Sequence, residues 1–252
     1  MEQERLSNIT IMAEEMQFPI RINRYLALRG LTTRRGADEF IALGLVKLNG
    51  KKAKLGDRVE SADVVEVIRD KKRKVKDFSY VVYYKPRGVI THSPQENEQS
   101  IGDISGFPGL FPLGRLDKAS EGLILLTDDG RVTDRLLHPR FAHEKEYLAT
   151  VREKIPSNAR MILENGVENE GEMLVAKKIQ TAGPHTLSII LTEGKRHQIR
   201  RMLDAVHLTV EKLVRIRVMG VHLGALKPGQ SRVLKGTARA SFLKSIGLKE
   251  NI

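Results

Sequence analysis

The sequence predicts an α+β protein in which a small α-α-β domain precedes a larger domain, with a predominantly antiparallel mixed sheet and a central cleft. Residues 19–68 show two short helical patterns followed by a hairpin signal, and residues 80–252 show many strand-like apolar runs and few long helical patterns. Residues 1–18 have no sustained apolar period and are interpreted as a loose tail. Residues 69–79 are too basic to join a core and are interpreted as a linker, either solvated or in contact with phosphates.

Two helices begin the small domain. The first is predicted within the pattern that begins at Pro19 and stops at Gly30, and the second is capped by Thr32 or Thr33 and stops at Gly44. Their apolar faces are Ile22, Tyr25 and Leu26 in the first helix and Ala37, Phe40 and Ile41 in the second. Val46 and Leu48 then alternate into Asn49-Gly50, which predicts a hairpin, and residues 63–67 predict a further strand.

The large domain contains two kinds of pattern. Strands are predicted over residues 81–84, 123–126, 143–151 and 186–191. One helix is predicted in the stretch that follows Gly194, because Ile199, Met202, Leu203 and Val206 have the spacing of a buried helix face.

The charge of the chain indicates a polyanionic partner. Its 252 residues include 43 Lys and Arg against 31 Asp and Glu, a net charge of +12, which suits nucleic acid or an anionic membrane surface. No apolar run approaches the roughly 18 residues of a membrane span, and no secretory signal pattern begins the chain. Cysteine is absent, which excludes disulfides and thiolate chemistry. A cytoplasmic protein without a membrane partner is expected.

The sequence lacks the motifs of several classes of enzyme. The seven histidines show no metal-ligand spacing, and neither a phosphate-binding loop nor a nucleophile elbow occurs. Any reaction is therefore expected to use side chains alone, with no cofactor and no metal.

Arginines of the small domain occupy positions that the fold itself does not favour. Arg34 and Arg35 fall in the first turn of the second helix, where a cation opposes the helix dipole, and Arg21 and Arg24 lie on the first helix. An external anion would explain them, and a merely basic soluble surface is the alternative. Residues 19–67 as a whole resemble the αL-motif RNA-binding domain first named in ribosomal protein S-four, which implies binding of structured RNA.

Three stretches of the large domain carry candidate chemistry, although each also has an ordinary structural interpretation. Asp117 precedes a buried strand and can be a turn residue. Tyr147 lies within a strand and can be a core aromatic. Arg200 lies on the flank of the predicted helix and can extend along its surface, whereas Arg201 is expected to face outward.

Together these stretches are more specific than each alone. Residues 114–127 (Gly-Arg-Leu-Asp, then Gly-Leu-Ile-Leu-Leu-Thr), 144–147 (Glu-Lys-Glu-Tyr) and 194–202 (Gly-Lys-Arg-His-Gln-Ile-Arg-Arg-Met) resemble the bacterial RsuA/RluB/RluE/RluF family of RNA pseudouridine synthases. Residues 84–89 resemble its opening Lys-Pro-x-Gly motif. His197 departs from the pattern, because close members often carry Arg there.

The resemblance implies a role for each site residue. Asp117 would be the essential carboxylate, acting as nucleophile or as general base, and Arg200 would pair with it. Tyr147 would stack on the target uracil and assist proton movement. Ile199 would form part of the pocket wall, and Arg115 would enter the gap left when the uridine is flipped out of its stack.

The expected activity is conversion of uridine to pseudouridine in ribosomal RNA, more specifically that of the large subunit, by a monomer. Small-subunit ribosomal RNA, tRNA and a non-catalytic role in ribosome assembly remain alternatives, as does an assembly intermediate in place of a free RNA stem-loop. The residues expected to bind RNA are Arg21, Arg24, Arg34, Arg35, Lys47, Lys85, Arg196 and Arg201.

Overall fold

The computed structural model of the protein describes residues 17–29, 31–68 and 77–248. The expected tail up to residue 16, the helix stop at Gly30 and most of the expected linker, residues 69–76, lie outside these ranges. The chain divides into two compact units. The first contains the described residues before 69 together with Asp129–Asp134, and the second contains Asp77–Asp128 and the residues from Arg135 onward.

The first unit has the two predicted helices and the predicted hairpin. Thr33 caps the second helix, because its side chain accepts a hydrogen bond from the Gly36 backbone N–H at 3.0 Å. Asn49 and Gly50 both have positive φ and join the two strands of the hairpin. The elements are β1 (Ile20–Arg21), α1 (Ile22–Leu28), α2 (Arg34–Ala42), β2 (Val46–Leu48), β3 (Lys51–Lys52), β4 (Arg58–Val59) and β5 (Val65–Val67).

Pairing within this unit extends beyond the predicted hairpin. Strand β2 lies between β3 and β5, and β1 forms a separate antiparallel pair with β4 that the sequence did not indicate. Side chains from both helices and from β1, β2 and β4 form one buried core. Its fully covered members include Ile22, Leu26, Ala37, Val46 and Val59.

The second unit is built on one mixed sheet. In its described residues the strands follow the order β12-β13-β9-β14-β8-β6-β16, with β15 paired to β14 and β7 paired to β8. The β8–β14 pair is parallel, and the other pairs are antiparallel. The strands are β6 (Tyr80–Lys85), β7 (Phe111–Leu113), β8 (Glu121–Thr127), β9 (Lys145–Val151), β12 (Lys178–Gly183), β13 (Thr186–Leu191), β14 (Val210–Val218), β15 (Val221–His222) and β16 (Ser231–Val233).

Helices and a small hairpin accompany this sheet. The hairpin consists of β10 (Val167–Asn169) and β11 (Glu172–Leu174). The helices are α3 (Ile101–Ile104), α4 (Arg131–Leu137), α5 (Ala159–Asn165), α6 (Gln198–Asp204) and α7 (Gly236–Ser245), with a 3-10 turn at Pro139–Phe141. None of the helices in the described ranges is long and apolar enough to cross a membrane.

The sheet supports two separate buried clusters. One contains residues of β9, β13, α5 and α6, and the other contains residues of β6 and β8 together with Leu116. Tyr147 is half-buried and packs against both. The α+β class and the predominantly antiparallel mixed sheet that the sequence predicts are thus confirmed.

Candidate active site

Asp117 lies in the loop that connects β7 to β8. Its carbonyl oxygen accepts a hydrogen bond from the Ser120 backbone N–H at 3.0 Å, so the residue does occupy a turn. Its carboxylate keeps 42% of its accessible surface. The turn therefore fixes the backbone while the carboxylate stays accessible to a ligand.

A second loop fixes the backbone on both sides of Asp117. The buried Thr91 hydroxyl donates to the Leu116 carbonyl at 2.8 Å and accepts from the Leu116 N–H at 3.1 Å. The Gly88 N–H donates to the Lys118 carbonyl at 2.7 Å. Because these bonds join residues about 25 to 30 positions apart, the loop is held by tertiary contacts rather than by its own sequence.

Arg215 on β14 holds the same loop from the sheet. Its side chain is buried, with Nε donating to the Leu123 carbonyl at 2.7 Å and Nη1 to the Arg115 carbonyl at 3.3 Å. Sequence reasoning missed this residue. The available signal was the position of Arg215 between Val214 and Ile216 in β14, because a guanidinium buried among apolar residues requires specific partners.

Lys85, at the end of β6, is fully buried beside this loop. Its ammonium group donates to the carbonyls of Pro86 at 2.9 Å and Ser120 at 2.7 Å. Burial lowers the pKa of Lys85 to about 8, although the negative charges of Asp117 and Glu121 act to raise it. The expectation that Lys85 contacts RNA is corrected, because its charge lies inside the protein.

Arg200 approaches the Asp117 loop from α6 but does not form the expected ion pair. Its guanidinium donates instead to the carbonyls of Ala119 at 3.2 Å and Val210 at 3.4 Å. Burial lowers the pKa of Arg200, and the negative charge of Asp117 raises it. The two side chains are thus electrostatically coupled without direct contact.

His197 contacts the Asp117 carboxylate. Its Nε2 lies 3.6 Å from the Asp117 Oδ1, and the residue adopts a left-handed conformation, with φ of 49°, at the N-terminus of α6. This contact was not expected, although the sequence marked His197 as a departure from the family pattern. No local pattern could indicate the contact, because the two residues are separated by 80 positions in the chain.

Tyr147 and Ile199 occupy positions consistent with either of their interpretations. Tyr147, on β9, is half-buried and packs against the cluster that contains Leu116, the neighbour of Asp117. Ile199 is buried in the cluster beneath α6. Arg115 has an exposed side chain, next to Asp117 in the loop.

The expectation that Arg201 faces outward is wrong. Its side chain retains 13% of its surface, because the β10–β11 hairpin lies against this side of α6. Its guanidinium donates to Glu172 at 2.6 Å and to both the side chain and the backbone of Asn169. Arg196, in contrast, is exposed.

The expected RNA-binding residues of the first unit lie mainly at its surface. Arg21, Arg24, Arg34 and Arg35 are exposed, and Lys47 is half-buried in β2. No acidic residue occupies the first turn of α2, where a negative charge would be favourable, and the acids Asp38 and Glu39 lie one turn further along. An external polyanion would supply that charge.

The arrangement around Asp117 gives one accessible carboxylate near several basic side chains. His197, Arg200 and Lys85 all act on it, through contact or through charge. Among the described residues, no group of three or more His, Asp or Glu residues could hold a metal ion. Such a carboxylate can act as a nucleophile or as a base on a bound polyanionic substrate.

Comparisons with known families assign both units. The family model described as RNA pseudouridylate synthase matches residues 79–205, and the S4 domain model matches residues 20–65.

Individual proteins agree with these matches. The dual-specificity RNA pseudouridine synthase RluF of Escherichia coli K12 is 36% identical over 230 residues, covering 90% of this chain and 79% of the relative. An uncharacterized RNA pseudouridine synthase of Aquifex aeolicus is 36% identical over 242 residues, covering 91% and 96%. A crystal structure of a pseudouridylate synthase superposes with a TM-score of 0.65 at 26% identity, covering 90% of this chain and 99% of its own.

Proposed function

Because the chain belongs to the RNA pseudouridylate synthase family and is an RNA pseudouridine synthase, we propose that the uridine it converts lies in ribosomal RNA, specifically that of the large subunit. Asp117 is the essential residue of this reaction. The observation that carries this assignment is its half-exposed carboxylate, which lies 3.6 Å from His197 on a loop fixed by Thr91, Gly88 and Arg215.

The reaction requires one reactive carboxylate in a fixed position. The N-glycosidic bond of the uridine breaks, the base rotates, and a bond forms from its carbon five to the sugar. Asp117 either attacks the nucleoside or takes the proton released from carbon five. Arg200 contributes charge across the site without binding the carboxylate directly, since its hydrogen bonds go to backbone carbonyls.

A uridine in folded RNA must leave its stack before this chemistry. Unstacking costs a few kcal/mol, which contacts to the phosphates can offset in a protein of charge +12. The exposed Arg115 is suited to fill the gap that the base leaves. Tyr147 stacks on the flipped uracil, because its ring is only half-buried.

The ribosomal target is supported by the two-part organisation of the chain. An S4 domain precedes the synthase region, and its exposed arginines suit a structured polyanion. A tethered binding module raises the effective concentration of the RNA at the catalytic unit. A large, folded RNA offers the two separate contact regions that this arrangement requires.

The experiment maps pseudouridines in ribosomal RNA and tRNA from cells that lack the protein and express either the original chain or a variant. We expect one or more large-subunit positions to lose the modification in its absence. Asp117→Asn should fail to restore it, whereas Asp204→Asn, which changes an exposed acid on α6, should restore it fully. RNA affinity of Asp117→Asn should stay within a few fold, because one carboxylate contributes little to phosphate binding.

Two results would contradict the proposal, each in a different part. If only tRNA loses its pseudouridine, the substrate is tRNA and not ribosomal RNA, and the assignment of the reaction is unaffected. Modification restored by Asp117→Asn would remove the assignment of the essential carboxylate.

A further inference from the structure

A stack of planar side chains lies in the segment that follows α4 in the second unit. The rings of Phe141 and His143 are nearly parallel, with centroids 5.6 Å apart and an interplanar angle of 13°. The Arg140 guanidinium lies 4.6 Å from the centre of the Phe141 ring, and His138 meets that ring edge-on at 6.4 Å. We name this group, residues 138–143, the aromatic stack.

The backbone holds the aromatic stack in place. His143 Nε2 donates to the Arg135 carbonyl at 2.9 Å, and His138 Nδ1 accepts from the Arg140 backbone N–H at 3.3 Å. Ala142 adopts a left-handed conformation, with φ of 47°, between the two stacked rings. A left-handed alanine carries a conformational cost, so the surrounding bonds fix a turn that free peptide would seldom adopt.

This stack is not part of a hydrophobic core. Phe141 keeps 37% of its surface, Arg140 and His138 are exposed, and Phe141 belongs to none of the three buried clusters. Aromatic surface ordinarily contributes to stability through burial, and here much of it remains in water. Its parallel planes beside a cationic guanidinium have instead the chemistry of a base-stacking surface.

The aromatic stack also lies next to the Asp117 loop. Leu137, which immediately precedes it, approaches Gly114 so closely that a Cβ there would lie 3.1 Å from Leu137 Cδ2. Its other end leads directly into β9, which carries Tyr147. The segment therefore lies between a contact with the Asp117 loop, made by Leu137, and the strand that carries Tyr147.

We propose that the aromatic stack is a binding site for an unpaired RNA base that neighbours the target uridine. The base stacks on the plane of the exposed Arg140 guanidinium, which lies over the Phe141 ring, while His143 stacks on that ring. Every base has a flat π-face, so the site selects an unpaired nucleotide over a paired one and not one base over another. The inference rests on the RNA substrate of the family and not on the ribosomal target.

The test measures binding of the full-length protein to two fluorescent probes, a hairpin RNA with an unpaired loop and a fully paired duplex of the same length. Phe141→Leu should weaken hairpin binding roughly five-fold or more, since a base–aromatic stack contributes at least that much. Duplex binding should change less than about two-fold, because phosphate contacts are retained. Phe141→Trp, which keeps a stacking plane, should bind the hairpin as the original chain does.

Arg140→Lys separates stacking from charge, because it keeps the cation and removes the guanidinium plane. We expect it to weaken hairpin binding and to leave duplex binding unchanged. The proposal would be overturned if Phe141→Leu lost affinity equally for both probes, or if it lost affinity for neither. Because no modified nucleoside is measured, neither result depends on which RNA the enzyme modifies.

Discussion

At the scale of single residues, Thr91 shows how a side chain outside the reaction can control it. Its hydroxyl forms hydrogen bonds with both the backbone N–H and the backbone carbonyl of Leu116, the residue immediately before Asp117. Thr91→Val keeps the shape but leaves a buried N–H and C=O without a partner. The carboxylate should shift as a result.

We expect Thr91→Val to lower the single-turnover rate at saturating RNA by about tenfold or more, because small displacements of a reacting group are costly. The RNA concentration for half-saturation should change little. Thr91→Ser keeps the hydroxyl and should restore the rate. A stability loss in Thr91→Val with an unchanged rate would assign Thr91 a structural role only.

The burial of Lys85 predicts that the stability of the protein depends on pH. At a pH below 8 the lysine is charged in both folded and unfolded states, so the cost of burying the ammonium is fully present. Between pH 8 and its ordinary value of 10.5 only the unfolded state binds the proton, so the free energy of unfolding rises with pH. The rise is roughly 3 kcal/mol, because the two pKa values differ by about 2.5 and each pKa unit corresponds to 1.36 kcal/mol.

Urea unfolding of the original chain and of Lys85→Met at several pH values in this range measures the contribution. As the pH rises, the free energy of unfolding of the original chain should increase relative to that of Lys85→Met. A difference that is independent of pH would mean that Lys85 is not the group that titrates.

The sequence indicated candidate site residues, but it did not indicate the contacts that those residues form. The spacing within α6 correctly placed Arg200 toward the site, because helical geometry is local. It could not show that a hairpin formed by residues 167–174 covers Arg201, or that His197 meets Asp117. These contacts join segments that are distant in the sequence, and no local pattern encodes them.

At the scale of secondary structure, the close approach of β8 and β14 depends on Gly122. A Cβ at this position would lie 2.4 Å from the Arg215 carbonyl oxygen, and φ there is 107°. Only glycine meets both conditions. The residue therefore permits the parallel pair that carries Arg215 to the Asp117 loop.

Gly122→Ala should lower the free energy of unfolding by at least about 2 kcal/mol and reduce activity. Gly183→Ala is a matched control, because that glycine lies in β12 with open space around its Cβ position. It should change stability by less than about 1 kcal/mol. Thermal unfolding followed by circular dichroism measures both, and similar losses in the two variants would contradict the argument.

Elements with strong local signals were predictable, and those that depend on long-range pairing were not. Asn49-Gly50 and Thr33 have positions determined by turn and cap chemistry, and the structure contains both features as predicted. The strands β1, β4, β10 and β11 have two or three residues each, too few for an apolar period. The parallel partner of β8 was equally hidden, since β14 follows it by more than 80 residues.

At the scale of the whole molecule, the two units predict a division of labour between RNA affinity and chemistry. Arg34→Gln combined with Arg35→Gln removes two exposed charges from α2. We expect the slope of log affinity against log salt to become shallower by about 1.5, since each lost phosphate contact removes slightly less than one. The rate at saturating RNA should change little, because Asp117 lies in the other unit.

A matched control removes two arginines from the second unit. Arg152 and Arg160 are exposed and already paired with Glu211 and Glu164, so Arg152→Gln with Arg160→Gln changes the net charge equally. The control should leave the slope nearly unchanged. If both double variants reduce it equally, the effect comes from net charge, and the first unit is not a specific RNA anchor.

The position of β14 in the sheet has a consequence for how the enzyme is made. It is inserted between β9 and β8, so the half of the sheet with Tyr147 and the half leading from Asp117 have no direct backbone hydrogen bonds to each other. During synthesis, residues 210–218 emerge after the two strands that they join, β8 and β9, and long-range pairing is slow to form. The S4 region, whose strands end with β5 at Val67, can fold well before this step. A growing chain thus acquires its capacity to bind RNA before its capacity to modify it.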